Sequence, residues 1–167
     1  MSFLVTEEAP DFAATAVTAD DGFEEDFRLA SLRGRYVLLF FYPVDCTFVC
    51  PTESIRFDER LDDFRKRDCE VVGVSVDSQF THVAWRRTPR ENGGIGQIGF
   101  PLVADLDKSI ARSYGVLLND SVALRGLFLI DREGIVRHAT VNDLPLGRNV
   151  DEALRVLDAL RFHETRG

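Results

Sequence analysis

The segment FYPVDCTFVCPTE, residues 41–53, places two thiols and a hydroxyl directly after a run of apolar residues. Pro51 follows Cys50, and proline suits the first turn of a helix because its missing N–H would be unpaired there anyway. A thiolate at such a position faces free backbone N–H groups and the positive end of the helix dipole. Both lower the pKa of a thiol, so the pattern predicts that Cys50 is a nucleophile. Thr47 adds a hydroxyl that donates or accepts a hydrogen bond.

The other two cysteines carry different expectations. Cys69 opens a second apolar run and is interpreted as a core residue, since free cysteines are among the most buried residue types. Cys46 lies four residues before Cys50, and two readings stay open for it, loop packing or a neighbouring thiol. The Cys-x-x-x-Cys spacing is not the Cys-x-x-Cys of disulfide oxidoreductases, although that enzyme class remains an alternative.

The elements that position Cys50 follow from hydrophobic periodicity. RYVLLFFY (35–42) and CEVVGVSVD (69–77) are short and apolar throughout, which predicts strands covered on both faces. The intervening residues 51–68 carry Phe57, Leu61 and Phe64 at helical spacing, which predicts a helix. Strand, helix and strand in this order form a βαβ unit with parallel strands.

The rest of the chain continues the same layered pattern. Short helices are predicted within residues 81–88 and 106–115, an antiparallel hairpin turning at DREG within 125–143, and an amphipathic helix from Asn149 to His163. This order predicts an α/β fold of the thioredoxin-like type, a central mixed sheet flanked by helices with extra segments at the front and middle. Without an internal repeat or linker, residues 1–167 are expected to form one domain.

Composition limits the possible partners. A net charge of −8 argues against a nucleic-acid or anionic-membrane partner, and no stretch has the length of a membrane span. The first residues lack the features of a signal peptide, and three cysteines do not make a disulfide framework, so a cytoplasmic location is predicted. His82, His138 and His163 are scattered without metal-ligand spacing, so we predict no metal and expect these histidines at the surface or at helix ends.

The segment from Pro43 to Cys50 resembles the active-site motif of peroxiredoxins, a proline, three residues, a threonine, two residues and a cysteine. FYPVDCTFVCPTE is similar to the typical 2-Cys group, which includes the peroxidase component of alkyl hydroperoxide reductase. The resemblance continues through VVGVSVDSQFTHVAW, TPRENGGIG, FPLVADLDKSIARSYGV, RGLFLIDREGIVRH and NDLPLGRNVDEALRVLDAL. It therefore covers nearly the whole chain and is specific.

The resemblance implies a thiol-dependent peroxidase that reduces hydrogen peroxide and organic hydroperoxides without a cofactor. Cys50 would be the peroxidatic cysteine, which becomes a sulfenic acid, and Thr47 would orient the peroxide. Pro43 would shield the site from water, and Arg125 would hold the thiolate and the developing charge. The alternative for Arg125 is a solvated charge at a strand end.

Supporting residues and partners also follow from the resemblance. Glu53 and Arg148 occupy positions that help to hold the active-site arginine, and a surface ion pair is the alternative for them. The resemblance implies a thiol reductant, either a thioredoxin-like protein or the alkyl hydroperoxide reductase flavoprotein. It also implies homodimers, and a decameric ring as a further assembly.

The sequence departs from the typical pattern in two places. Typical members continue beyond the last helix into Val-Cys-Pro, whose resolving cysteine forms a disulfide with the partner subunit's sulfenic acid, whereas this sequence stops at RFHETRG. Either that tail belongs to a longer form of the protein, which we favour, or an external thiol replaces it. Cys46 stands where the family usually has an aromatic residue. A non-enzymatic holdase or regulatory assembly is a further alternative.

Overall fold

The structure, a computed structural model, describes residues 3–45 and 50–166, with the backbone alone at Cys50. Its strands are β1 (Ala13–Val17), β2 (Phe23–Arg28), β3 (Tyr36–Phe41), β4 (Cys69–Ser75), β5 (Leu102–Ala104), β6 (Leu117–Leu118), β7 (Val122–Ala123), β8 (Arg125–Ile130) and β9 (Val136–Asn142). The helices are α1 (Cys50–Glu59), α2 (Leu61–Lys66), α3 (Gln79–Arg87), α4 (Ser109–Ser113) and α5 (Val150–Arg166).

Seven strands form one mixed sheet in the order β2-β1-β5-β4-β3-β8-β9. Strand β3 pairs in parallel with β4, which confirms the predicted βαβ unit, and in antiparallel fashion with β8. The β8–β9 hairpin is confirmed as well. With helices packed against it, this sheet confirms the thioredoxin-like α/β fold.

Strand β3 lies between two apolar clusters because successive side chains of a strand point to opposite faces. Leu38 and Phe40 pack on the face covered by α1, α2 and α5, while Leu39 and Phe41 pack on the face covered by α4. All six residues of β3 are buried. The prediction of a strand covered on both faces is confirmed, and it explains why no polar residue interrupts it.

Residues 51–68 form two helices, so the single predicted helix is wrong. Helix α1 ends at Glu59 and α2 begins at Leu61, with Arg60 between them in a non-helical conformation. Phe57, Leu61 and Phe64 are nevertheless all buried in one apolar cluster. The spacing of the apolar residues therefore predicted the buried face correctly. It did not reveal the helix break at Arg60, because the apolar face continues across that break.

Asn149 caps the last helix, α5. The Asn149 side-chain oxygen accepts hydrogen bonds from the backbone N–H groups of Asp151 at 2.9 Å and Glu152 at 3.4 Å. Val150, Leu154, Leu157 and Leu160 are buried along one stripe. This packing places Arg148, just before the helix, against the carboxyl end of β3.

Candidate active site

Cys50 is the first residue of α1, shortly after the carboxyl end of β3. The predicted placement of this cysteine at a helix start is confirmed. Pro43 is buried directly after β3. Thr47 and Cys46, which the sequence also singled out, lie outside the described residues.

Arg125 begins β8 and lies in the protein interior. Its Nη1 donates to Oε1 of Glu53 at 2.7 Å, and its Nε donates to the Leu144 carbonyl at 2.6 Å. Only 3% of the Arg125 side chain and 7% of the Glu53 side chain are exposed. The alternative of a solvated charge at a strand end is therefore wrong for Arg125.

Arg148 binds the same carboxylate from the other side. Its backbone N–H and Nε donate to Oε2 of Glu53 at 2.6 and 2.9 Å, and its Nη2 donates to Oε1 at 3.0 Å. Its Nη1 donates to the carbonyls of Phe41 and Gly126, both at 2.6 Å. The Arg148 side chain is 2% exposed, so the surface ion pair considered for Glu53 and Arg148 is also wrong.

We call Arg125, Glu53 and Arg148 the ionic cluster. Burial raises the pKa of the Glu53 carboxyl, but the hydrogen bonds and charge of Arg148, with the charge of Arg125, outweigh burial and leave that pKa below its usual value. Two guanidinium groups and one carboxylate leave the cluster with one net positive charge. Glu53 is one helical turn after Cys50, so this charge lies close to the start of α1.

Cys69 has the opposite environment. It is fully buried at the start of β4, as predicted, and burial raises the pKa of its thiol to about 12. At neutral pH this thiol is protonated and has no access to solvent, so it is not a nucleophile.

Sequence reasoning missed two buried polar residues beside this site. His82, expected at the surface or at a helix end, lies in the first turn of α3 and is fully buried. Its Nδ1 lies 2.6 Å from Oδ2 of Asp45, and its Nε2 lies 3.1 Å from the Val103 carbonyl. Asp45 lies within the Pro43-to-Cys50 motif of the sequence, and that position was the available signal. His163 is exposed, as expected, and His138 is half-buried.

None of the helices in residues 3–45 and 50–166 has the length and hydropathy needed to cross a bilayer. Within those residues, no group of three or more histidine, cysteine or acidic side chains is arranged to hold a metal ion.

Comparison with known proteins identifies the family. The model of the AhpC/TSA family matches residues 5–139. Peroxiredoxin-2 of Mus musculus is 58% identical over 160 residues, covering 95% of this chain and 80% of that protein. Alkyl hydroperoxide reductase C of Helicobacter pylori strain J99 is 55% identical over 165 residues, covering 98% of this chain and 83% of that protein.

Solved structures agree with the sequence relatives. The reduced 2-Cys peroxiredoxin of Plasmodium vivax superposes with a TM-score of 0.97 at 51% identity, over 99% of this chain and 86% of that one. A likeness of this extent covers the strands and helices described above. The chain belongs to the AhpC/TSA family and is a peroxiredoxin, a thiol-dependent peroxidase that reduces peroxides.

Proposed function

We propose that Cys50 is the peroxidatic cysteine of this peroxidase, with Thr47, Arg125 and Pro43 completing the site. The observation that carries the proposal is the ionic cluster, buried one helical turn from the first residue of α1. A buried site with one net positive charge at a helix N-terminus favours an anionic sulfur. Cys69, by contrast, is protonated and enclosed.

The proposed reaction is a displacement at the O–O bond. The Cys50 thiolate attacks one peroxide oxygen, an S–O bond forms as the O–O bond breaks, and the electron pair leaves on the second oxygen. That oxygen takes up a proton and departs as water or an alcohol, while Cys50 becomes a sulfenic acid. Two thiols then return it to the thiol, forming one disulfide and one water.

Arg125 stabilises the negative charge while it moves from the sulfur to the departing oxygen. A guanidinium stays protonated and offers several donors in a fixed plane, so it can follow the charge along the line of displacement. Glu53 and Arg148 act as positioning residues, since they hold the Arg125 guanidinium in the interior. Thr47 would hydrogen-bond the peroxide, and Pro43 would limit access of water.

A thiol titration with peroxide tests this proposal. One equivalent of hydrogen peroxide should add one oxygen to Cys50, trapped as a sulfenic-acid adduct and mapped by peptide mass spectrometry. Cys50→Ser should lose the reaction, whereas Cys69→Ser should keep it. Insulin reduction without peroxide consumption would favour a disulfide oxidoreductase. Suppression of aggregation that is equal in Cys50→Ser, without peroxide reactivity in the wild type, would favour a holdase.

The proposal also includes the reductant of the enzyme, its oligomeric assembly and its cellular location. A thioredoxin-like protein or the alkyl hydroperoxide reductase flavoprotein would supply the thiols. Turnover assays with each of these two reductants distinguish between them.

A homodimer, and a decamer as a further assembly, would use open edges of the sheet. Strand β9 is at such an edge, and Val141 on it is exposed. Sedimentation measures the assembly, and imaging of a tagged chain tests the cytoplasmic location.

A further inference from the structure

Ser54 lies in α1, one helical turn after Cys50, and carries a buried hydroxyl that the proposed reaction does not use. The residue is 1% exposed. Across residues 3–45 and 50–166, its Oγ is the one buried side-chain oxygen or nitrogen without a hydrogen-bond partner. A helix serine commonly donates to the carbonyl four residues before it, but the Cys50 carbonyl is not bonded in this way. Buried polar atoms left unpaired are unfavourable and few in native proteins, so this one indicates a partner of another kind.

The next polar group on the same face of α1 is already satisfied. Asp58 lies one turn beyond Ser54, and its Oδ1 accepts from the Gly99 backbone N–H at 2.8 Å. Its Oδ2 accepts from Nη2 of Arg90 at 3.1 Å. The Ser54 hydroxyl is therefore not used on the carboxyl side of its own turn. The remaining direction along this face is the amino side, where the helix begins at residue 50.

Helix geometry brings Ser54 against the first turn of α1. Residues four apart share one face of a helix, and each side chain tilts toward the helix N-terminus. A hydroxyl at position 54 therefore covers the turn that begins at Cys50. Glu53, three residues after Cys50, lies on the adjacent face and is held by Arg125 and Arg148. A thiolate at position 50 would have the ionic cluster on one side and the Ser54 hydroxyl on another.

We propose that the Ser54 hydroxyl donates a hydrogen bond to the sulfur of Cys50 when that sulfur is a thiolate, and is a further catalytic residue of this peroxidase. A serine hydroxyl rotates and has one hydrogen to donate, and an anionic sulfur accepts it. The bond stabilises the thiolate relative to the thiol. It also gives Ser54 the partner that no other described group supplies. The proposal rests on the role given above to Cys50.

A hydrogen bond to a thiolate has two opposed effects on its reactions. It lowers the pKa of the thiol, which increases the ionised fraction near neutral pH. It also withdraws charge from the sulfur, and the nucleophilicity of a thiolate falls as its pKa falls. Loss of the bond should therefore slow the reactions of Cys50 at low pH and accelerate them at high pH. A substitution that only disturbs packing has no reason to produce effects of opposite sign.

The experiment follows alkylation of Cys50 by iodoacetamide against pH in the full chain, with the product mapped by peptide mass spectrometry. Ser54→Ala should raise the midpoint of the profile by about one pH unit, as expected for the loss of one hydrogen bond to a charged group. One pH unit below the wild-type midpoint the rate should fall about threefold, and well above both midpoints it should rise about threefold. Peroxide consumption at the same pH values should change in the same directions. Ser54→Thr keeps a hydroxyl and should restore the wild-type profile.

Thr52→Ala is the matched control, since Thr52 carries an exposed hydroxyl on the same helix, two residues after Cys50. It should leave the midpoint unchanged. In a Cys50→Ala background, Ser54→Ala should not lower the free energy of unfolding measured with urea, because no other described group bonds the hydroxyl. An unchanged midpoint in Ser54→Ala, or a lower rate at every pH, would overturn the proposal while leaving the proposed function intact. A wild-type Cys50 that does not react with peroxide would overturn both.

Discussion

The two ends of strand β3 differ in the groups that surround them. At the amino end, Tyr36 pairs with Cys69 in the apolar core, and the nearby ion pairs of Arg35 involve a side chain that is 43% exposed. At the carboxyl end, the ionic cluster and the Asp45–His82 pair are all buried. Burying charges is unfavourable unless they are fully paired, so their concentration at one end indicates a functional requirement there.

The comparison also shows how one residue type acquires two chemistries. Cys69 is packed among apolar neighbours and is a protonated core residue. Position 50, in contrast, begins a helix next to the ionic cluster, which has one net positive charge. Both cysteines belong to the same βαβ unit, Cys50 as the first residue of α1 and Cys69 as the first residue of β4. The difference therefore comes from which end of the strand each segment adjoins.

The largest expected effect is the inertness of Cys69. With a thiol pKa of about 12, only about one part in ten thousand is ionised at pH 8, whereas a small thiol is roughly a quarter ionised. Iodoacetamide at pH 8 should therefore label Cys69 more than about a thousandfold more slowly than a small thiol. Quantitative peptide mass spectrometry measures this, with a sample in guanidinium as the control. Comparable labelling of the folded protein would remove the contrast between the cysteines.

Arg148→Met should destabilise the fold strongly. The substitution leaves the Glu53 carboxylate with one guanidinium and removes the donor from the carbonyls of Phe41 and Gly126. Breaking a buried pair in this way costs about 3–5 kcal/mol of unfolding free energy. Urea unfolding measures the loss, and Arg155→Met on the exposed face of α5 serves as the control that should change little. Equal losses in the two variants would argue against a special role for burial.

Arg125→Lys should impair the reaction more than the fold. Lysine keeps the charge but loses the planar set of donors that reaches both Glu53 and the Leu144 carbonyl. The rate constant with hydrogen peroxide should fall by about 10²- to 10³-fold, as when one donor to a developing charge is removed. Stopped-flow measurement on this variant and on Arg137→Lys, at the half-buried pair with Asp131, makes the comparison. A normal rate for Arg125→Lys would show that a point charge is sufficient.

Much of the fold could be predicted from local pattern, because the periodicity of β3, β4 and α5 depends on neighbours in the sequence. The helix break at Arg60 could not, since the apolar face continues across it. Glu53 and Arg148 are 95 residues apart in the sequence, so no local pattern predicts their contact. Only the family resemblance indicated that they belong to one site. The burial of His82 depends on Asp45 and Val103, which are 37 and 21 residues away, and nothing local indicates it.

The acid dependence of stability should reveal Glu53. Because its pKa in the folded protein lies below the usual 4.5, its ionised form contributes stability above pH 4.5 that is lost as the pH falls through the folded value. The difference in unfolding free energy between wild type and Glu53→Gln should therefore shrink below pH 4.5, by at most about 1.4 kcal/mol per pH unit. Chemical denaturation at several pH values measures it. A difference that grows on acidification would reverse the assigned direction.

The smallest expected effect is at the amino end of β3. Arg35 lies 3.3 Å from Oδ1 of Asp68 and 2.7 Å from Oε1 of Glu70, but much of its side chain remains in water. Arg35→Gln should cost at most about 1 kcal/mol, since solvent screens such pairs and the free side chain is well hydrated. Added salt should reduce even this loss, whereas it should change the loss for Arg148→Met much less, because buried charges are poorly screened. Urea unfolding of both variants at low and high salt measures the two effects together. A salt-insensitive loss for Arg35→Gln as large as that for Arg148→Met would mean that the two ends of β3 are electrostatically equivalent, and that burial of charge does not mark the active site.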